Sequence, residues 1–166
     1  WATFLRDHRS ISEANFWQPS PHGFKALAEG EPFLFKTKHP RTYSGLDMPG
    51  YSPVGGGLFE QYFEMPVSEA WAIWGRGNGA DSERELLLRV QAYRNSKNHE
   101  PHPDPTIGCV ILRNIFFAEP GGELPQPPNW SLNNVTIEGY ETIGRDRKPD
   151  SEYVLEAFQL LLDRHA

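Results

Sequence analysis

Cysteine is almost absent from this chain. Cys109 is the only one among 166 residues, which excludes an internal disulfide framework and a zinc site built on several thiolates. Long apolar runs are missing too: nothing approaches the ~18 residues of a membrane-spanning helix, and no segment has the pattern of a secretory signal, so a cytoplasmic protein is expected. There are no internal repeats and no low-complexity tracts. Positive charge is in short supply, with 16 Lys and Arg against 22 Asp and Glu for a net charge of −6. That balance disfavours a free-standing nucleic-acid binder, which usually shows a basic face, although steering depends on where the cations sit. The signatures of nucleotide and acyl chemistry are also lacking. No GxSxG, Walker loop or strand-to-helix GxGxxG is present. "GRGNGA", residues 75–80, shares only its glycines with a phosphate loop and reads as the end of one helix turning into the next. No catalytic constellation assembles, and no cofactor is implied.

What remains has the composition of a globular domain. Hydrophobic residues make up 38% and aromatics 13% of the chain, enough for one domain over residues 1–166 with a real core. Gly and Pro, 15 of each, favour a fold rich in loops and strands. A chain that begins at Trp1 rather than Met is expected to be a piece of something longer. The pattern predicts a short N-terminal helix with Trp1, Phe4 and Leu5 on one side, and a brief strand at Asn15 to Trp17. One helical turn before Gly30 and a strand through Phe33, Leu34 and Phe35 follow. "PVSEAWAIWG" predicts a helix capped by Ser68 and stopped at Gly75. "DSERELLLRVQAYR" carries a capping box, Ser82 with Glu85, and places Leu86, Val90 and Tyr93 on one face. "TIGCVILRNIFFAEP" is the most hydrophobic run and predicts a central strand, bent or straight, with Cys109 buried. A short strand is expected near Val135 to Ile137. The C-terminal helix places Val154, Phe158, Leu161, Leu162 and His165 on one face. Strands with helices in the connections imply α+β: a small curved sheet or barrel with helices packed outside.

Three clusters carry candidate chemistry. "HEPHPD" places His99, Glu100, His102 and Asp104 together, but not at metal-ligand spacing, so it reads as an exposed loop and no metal is expected. Lys36, Lys38, His39 and Arg41 follow the strand at Phe35 and precede Gly55, Gly56 and Gly57. In an acidic chain this is either a solvated loop or the mouth of a pocket for an anionic ligand. The three glycines allow either a ligand or another backbone to approach closely. Trp17 and Tyr43 flank the same region. A flat ring beside cations is what stacking on a nucleobase and neutralising its phosphates requires, and packing is the equal alternative.

"NFWQPSPHGFKALAEGEPFLFK", "VGGGLFEQYFEMPVSEAWAIWGRGNGA", "IGCVILRNIFF" and "PNWSLNNVTIEGY" together resemble the N-terminal region of bacterial HNH restriction endonucleases of the McrA type. That region is similar to the SRA-like and EVE-like members of the PUA superfamily. The resemblance runs through nearly the whole chain in order. It implies a PUA/SRA-like pseudo-β-barrel that reads modified bases in DNA for a C-terminal HNH nuclease, which these residues do not contain. The chain itself is therefore expected to be a recognition domain and not an enzyme. Residues 44–53, "SGLDMPGYSP", depart from the family as an insertion between Tyr43 and Val54, expected to be a finger or a lid.

On this reading the chain flips a modified cytosine, 5-methyl or 5-hydroxymethyl, out of the duplex. Trp17, Phe35 and Tyr43 are the expected pocket walls, with Asn15, Ser20 and Asp47 at the base edge. Lys36, Lys38, His39 and Arg41 are assigned to the DNA backbone, with Gly55, Gly56 and Gly57 giving close approach and Asn133 and Asn134 contributing from the far side. The partners implied are double-stranded modified DNA, the nuclease domain in cis and a second copy of the parent protein, with no membrane. Three alternatives stay open: an RNA-binding PUA-type module, a reader of phosphorothioate-modified DNA, and a plain protein-interaction domain.

Overall fold

The computed structural model describes residues 1–25, 27–37, 41–43, 46–48, 52–125 and 149–165. The chain opens with helix α1 (Ala2–Asp7) and strand β1 (Glu13–Gln18), then β2 (Pro32–Lys36) and a small hairpin of β3 (Arg41–Tyr43) and β4 (Leu46–Met48). β5 (Pro53–Pro66) runs straight into α2 (Val67–Trp74), a 3-10 turn (Gly75–Asn78) and α3 (Glu83–Ser96). β6 (Thr106–Phe117) and the C-terminal helix α4 (Pro149–Asp163) complete the described elements. The class is α+β. No helix among the described residues is long and apolar enough to cross a membrane.

Four strands make one antiparallel sheet in the order β1-β6-β5-β2. β6 is central, as its unbroken apolar run implies, because both of its faces are covered. Val110 and Leu112 point into a first core with Phe4, Leu5, Ala14, Phe33, Phe35 and Phe59. Ile107, Cys109 and Ile111 point the other way, into a second core formed with Val67, Ala70, Leu86 and Val90 of α2 and α3. The alternation then reverses. Asn114 has φ 50, and the pairing steps from Leu58↔Arg113 to Gly56↔Phe116, leaving one extra residue on β6. This bulge turns Phe117 into the first core. Phe116 goes to a third core with Leu34 and with Val154, Ala157 and Leu161 of α4. One bulge thus lets a single strand serve three cores.

The sheet is curled but open. β1 and β2 lie at opposite edges, roughly 14 Å apart in a flat sheet of this spacing. Nevertheless the rings of Phe16 and Phe33 meet at 5.3 Å, and Trp1 bridges them by edge contacts to Phe16 at 5.2 Å and Phe35 at 5.1 Å. Closure into a pseudo-barrel does not follow among the described residues: β1 pairs only with β6, and β2 only with β5. The free edge of β1 is occupied instead. Trp1 Nε1 donates to Asn15 O at 2.8 Å, and the 3-10 turn sits so close that a Cβ on Gly77 would meet Glu13 O at 2.7 Å. Covering an edge this way satisfies its backbone groups without a further strand.

Several local expectations are corrected. No helical turn precedes Gly30 among the described residues, and the chain at Gly30 pairs with β5: Gly30 N donates to Phe59 O at 2.7 Å and Phe59 N to Glu31 O at 2.9 Å. Ser68 does not cap α2. Its N–H and hydroxyl both donate to the Asp104 carboxylate, at 3.0 and 2.5 Å, so a carboxylate from a distant loop satisfies the helix start. The helix does end at Gly75. In α3 Ser82 accepts from Glu85 N, but Glu85 reaches Asp81 N, one residue before the capping-box position. On α4, Leu162 lies off the buried face at 41% exposure, while Val154, Ala157 and Leu161 fill it.

Candidate functional site

Asn15 and Trp17 share one face of β1, the face turned toward α2 and α3. Asn15 is fully buried and donates from Nδ2 to Asn78 Oδ1 at 2.9 Å. Asn78, also fully buried, donates in turn to Ala70 O at 3.1 Å and Gly75 O at 2.8 Å. Its own carbonyl accepts from Trp17 Nε1 at 3.0 Å. One side chain in the "GRGNGA" turn therefore ties β1, the 3-10 turn and the end of α2 together. The Trp17 ring packs on the second core and stands edge-on to Tyr93 at 5.9 Å. Tyr93 is 58% exposed, so the expected inner face of α3 ends at Val90. Cys109 lies beneath this cluster. Burial pushes its thiol up to about 11, with a hydrogen bond from Asn15 opposing the shift, and a thiol so protonated is a poor nucleophile at neutral pH.

Phe35 lies elsewhere. It is buried in the first core, against Trp1, Phe33 and Phe117. Trp17 and Phe35 therefore face opposite sides of the sheet and do not wall one pocket. The physical reason is the strand alternation: Asn15 and Trp17 take one face of β1, leaving Ala14 and Phe16 to meet β2 across the curl. Ser20, just past β1, is buried as well.

The glycine triplet is resolved by its surroundings. A Cβ on Gly55 would meet Phe116 O at 2.2 Å, and one on Gly56 would meet Phe33 O at 2.8 Å and the Phe158 ring at 2.9 Å. One on Gly57 would meet Ile115 Cγ2 at 3.0 Å. All three are buried. The close approach they permit is that of β2, β6 and α4 on β5. These glycines are corrected from DNA-backbone contacts to packing positions. Lys36 is corrected as well: it is 2% exposed and engaged within the fold, beside the register shift that ends the β2–β5 pairing. A lysine so enclosed is not available to a phosphate.

The segment between β2 and β5 leaves the main sheet. β3 and β4 form a separate two-stranded sheet with Arg41↔Met48, Thr42↔Asp47 and Tyr43↔Leu46 as partners. Asp47, expected in an inserted loop, lies in β4, and Arg41 and Tyr43 lie in β3. Lys38, His39, Asn133 and Asn134 fall outside the described residues, as does the strand expected near Val135.

The loop with His99 and His102 is held by α3. Arg94 donates to Pro19 O at 3.2 Å and Glu100 O at 3.3 Å, and Gln91 to His102 O at 3.4 Å. His102 Nδ1 accepts from Asp104 N at 2.9 Å. A shallow cleft lies here, lined by Gln91, Arg94, Glu100, Pro101, His102 and Pro103. Asp104 is committed to α2, and among the described residues no three His, Cys, Asp or Glu side chains are grouped to hold a metal ion. Sequence reasoning missed Asn78, although an Asn between two glycines is a turn signal, and it missed the burial of Arg6. No protein-family model matches the chain, and no curated protein does.

Proposed function

We propose that this chain is a recognition domain for chemically modified DNA, without catalytic activity of its own. On this reading it is a PUA-like domain that serves a nuclease domain in cis, in the cytoplasm. The observation that supports the proposal is the β3–β4 hairpin, which forms a sheet separate from the main one between β2 and β5 and holds Arg41, Tyr43 and Asp47 in one short paired element. A cation, a flat ring and an acceptor are the residue types that contact phosphate, stack on a base and accept from the cytosine amino group. The modified-cytosine reading rests on this element, with the hairpin as the finger and the extruded base stacked on Tyr43.

A second reading is favoured by the opposite facing of Trp17 and Phe35. With those rings on two sides of the sheet, they do not form an aromatic slot for a flipped base. A domain that touches the duplex from outside needs only a shallow apolar and cationic surface. That suits a phosphorothioate linkage, in which a soft sulfur replaces one phosphate oxygen. The test is a gel shift with one duplex sequence in four forms: plain, 5-methylcytosine, 5-hydroxymethylcytosine and phosphorothioate, at one stated salt concentration. Preference for a cytosine form supports the base reading, and preference for the sulfur form supports the backbone reading. Equal affinity for all four overturns the proposal. Structured RNA that displaces the preferred duplex would instead assign the domain to RNA.

A further inference from the structure

β5 keeps a free edge along part of its length. On one side it pairs with β6 through Pro66↔Thr106. On the other side its pairing with β2 ends at Leu58, and only Gly30 and Glu31 extend it, to Phe59. Val67 N donates to Pro105 O at 3.1 Å, so by strand alternation Met65, Phe63 and Gln61 also turn their backbone groups toward β6. The N–H and C=O of Tyr62 and Glu64 therefore point away from the sheet. No hydrogen bond to these four groups is found among the described residues. Open edge groups of this kind are a template for a further strand.

The side chains along this edge fit one kind of strand. Gln61, Phe63 and Glu64 are exposed. Phe63 stands 6.1 Å from the Trp74 ring of α2, and the two rings form an apolar shelf beside the edge. Tyr62 does not cover the edge. Its ring lies back over β6, where a Cβ on Gly108 would meet its Oη at 2.7 Å. Residues 58–75 include Glu60, Glu64 and Glu69 and no Lys, Arg or His. Glu13 adds a further carboxylate at the shelf, accepting from Trp74 Nε1 at 2.8 Å. An apolar shelf with an acidic border selects a cationic partner with one apolar anchor.

We infer that the edge of β5 at Tyr62 and Glu64 is a docking site for an extended cationic peptide segment of another protein, added as an antiparallel strand. The peptide backbone exchanges N–H···O=C bonds with both residues. Its central apolar residue lies opposite Phe63 and packs toward Trp74, and the Lys or Arg residues on either side share the face of Glu64. A second copy of this chain fits this edge poorly. Paired antiparallel about Phe63, its Pro66 would lie beside Glu60, in the lane that Gly30 and Glu31 already enter, and its net charge is also −6. A short segment with free ends stops before that point. The inference does not depend on the DNA reading, which rests on the β3–β4 hairpin.

The test titrates the 15N-labelled full chain with the peptide GTKFKTG, blocked at both ends, and follows amide shifts and hydrogen exchange by NMR. The expected result is a saturable shift of the Tyr62, Phe63 and Glu64 amides. Exchange of the Tyr62 and Glu64 amides should slow about tenfold or more near saturation. Methylating the amide nitrogens of both peptide lysines removes the donors to the carbonyls of Tyr62 and Glu64 and should weaken binding about tenfold or more. Replacing both lysines by glutamate should weaken it as well. Glu64→Pro removes an outward N–H that no strand of the fold uses, so it should fold as the parent does and lose the peptide. Should Glu64→Pro melt well below the parent, the N-methylated peptide still decides. Glu64→Gln keeps the backbone bonds and should narrow the preference for lysine over glutamate. Tyr62 and Glu64 amides already protected from exchange in the free chain overturn the inference, because a second copy or another part of the chain then holds this edge. So does the lack of a saturable shift at β5, or equal binding of the N-methylated peptide.

Discussion

Gly55→Ala puts the packing account of the glycine triplet at most risk. A Cβ at Gly55 would lie 2.2 Å from Phe116 O, where ordinary contact begins at 3.4 Å. The obstacle is a backbone carbonyl of the central strand, so no side-chain rotation relieves it. β5 and β6 must separate by more than an ångström locally, beside the bulge that feeds Phe116 and Phe117 into two cores. Overpacking of cores usually costs about 1–3 kcal/mol, and a clash with fixed backbone belongs at or above the upper end. At ~2–4 °C per kcal/mol for a domain of this size, the melting temperature should fall by about 6–12 °C. Gly23→Ala is the control. Gly23 has φ +75 with open space where the Cβ would go, so only backbone strain of about 1 kcal/mol is expected. Urea unfolding of both variants, with duplex binding measured on the folded fraction, reads the difference. If Gly55→Ala melts within ~2 °C of the parent yet loses duplex binding, the triplet serves a ligand and the packing account is wrong; that interval is what ~0.5–1 kcal/mol would produce.

Asn78→Ala should destabilise the fold by about 3 kcal/mol, because it strands the Asn15 amide and two carbonyls in a dry interior; urea titration reads it, and a change under ~1 kcal/mol would show that water replaces the side chain. Trp17→Ala should cost roughly 2–3 kcal/mol of stability for a half-buried ring, with binding of the preferred duplex falling only as the protein unfolds. Binding lost from a fully folded Trp17→Ala protein would make Trp17 a ligand contact. Cys109 should resist a disulfide reagent at pH 8 until denaturant is added. Since its folded pKa is raised to about 11, its contribution to stability is complete below the unfolded-state pKa and is lost as pH climbs toward 11. A stability plateau across pH 9 to 11 in the parent, matched by Cys109→Ala, would refute that linkage. Lys36→Ala should lower the melting temperature and leave the salt dependence of duplex binding unchanged, because its ammonium is enclosed; a shallower salt slope with normal melting would restore it as a phosphate contact.

The central place of β6 was legible in the sequence because a two-sided apolar run has nowhere else to go. So were the stop at Gly75 and the Ser82 cap, which depend on neighbours a few residues away, and the burial of Cys109, which its place in that apolar run implied. The cations after Phe35 and the glycines before Leu58 were equally visible, but not what they do. Lys36 and Arg41 read alike in a string, and only the folded chain encloses one and carries the other onto a hairpin. Gly55, Gly56 and Gly57 announced that something comes close. Which something depended on β6 being bulged at Asn114 and on α4 lying across β2 and β5, contacts between residues about 60 to 100 positions apart. Strand alternation was predictable for β1 alone, yet that Trp17 and Phe35 end on opposite faces required knowing the strand order and the curl. Local propensity acts over a few residues and is written in the sequence. Facing and enclosure are properties of the assembled chain, because they depend on which distant segment arrives to cover each group.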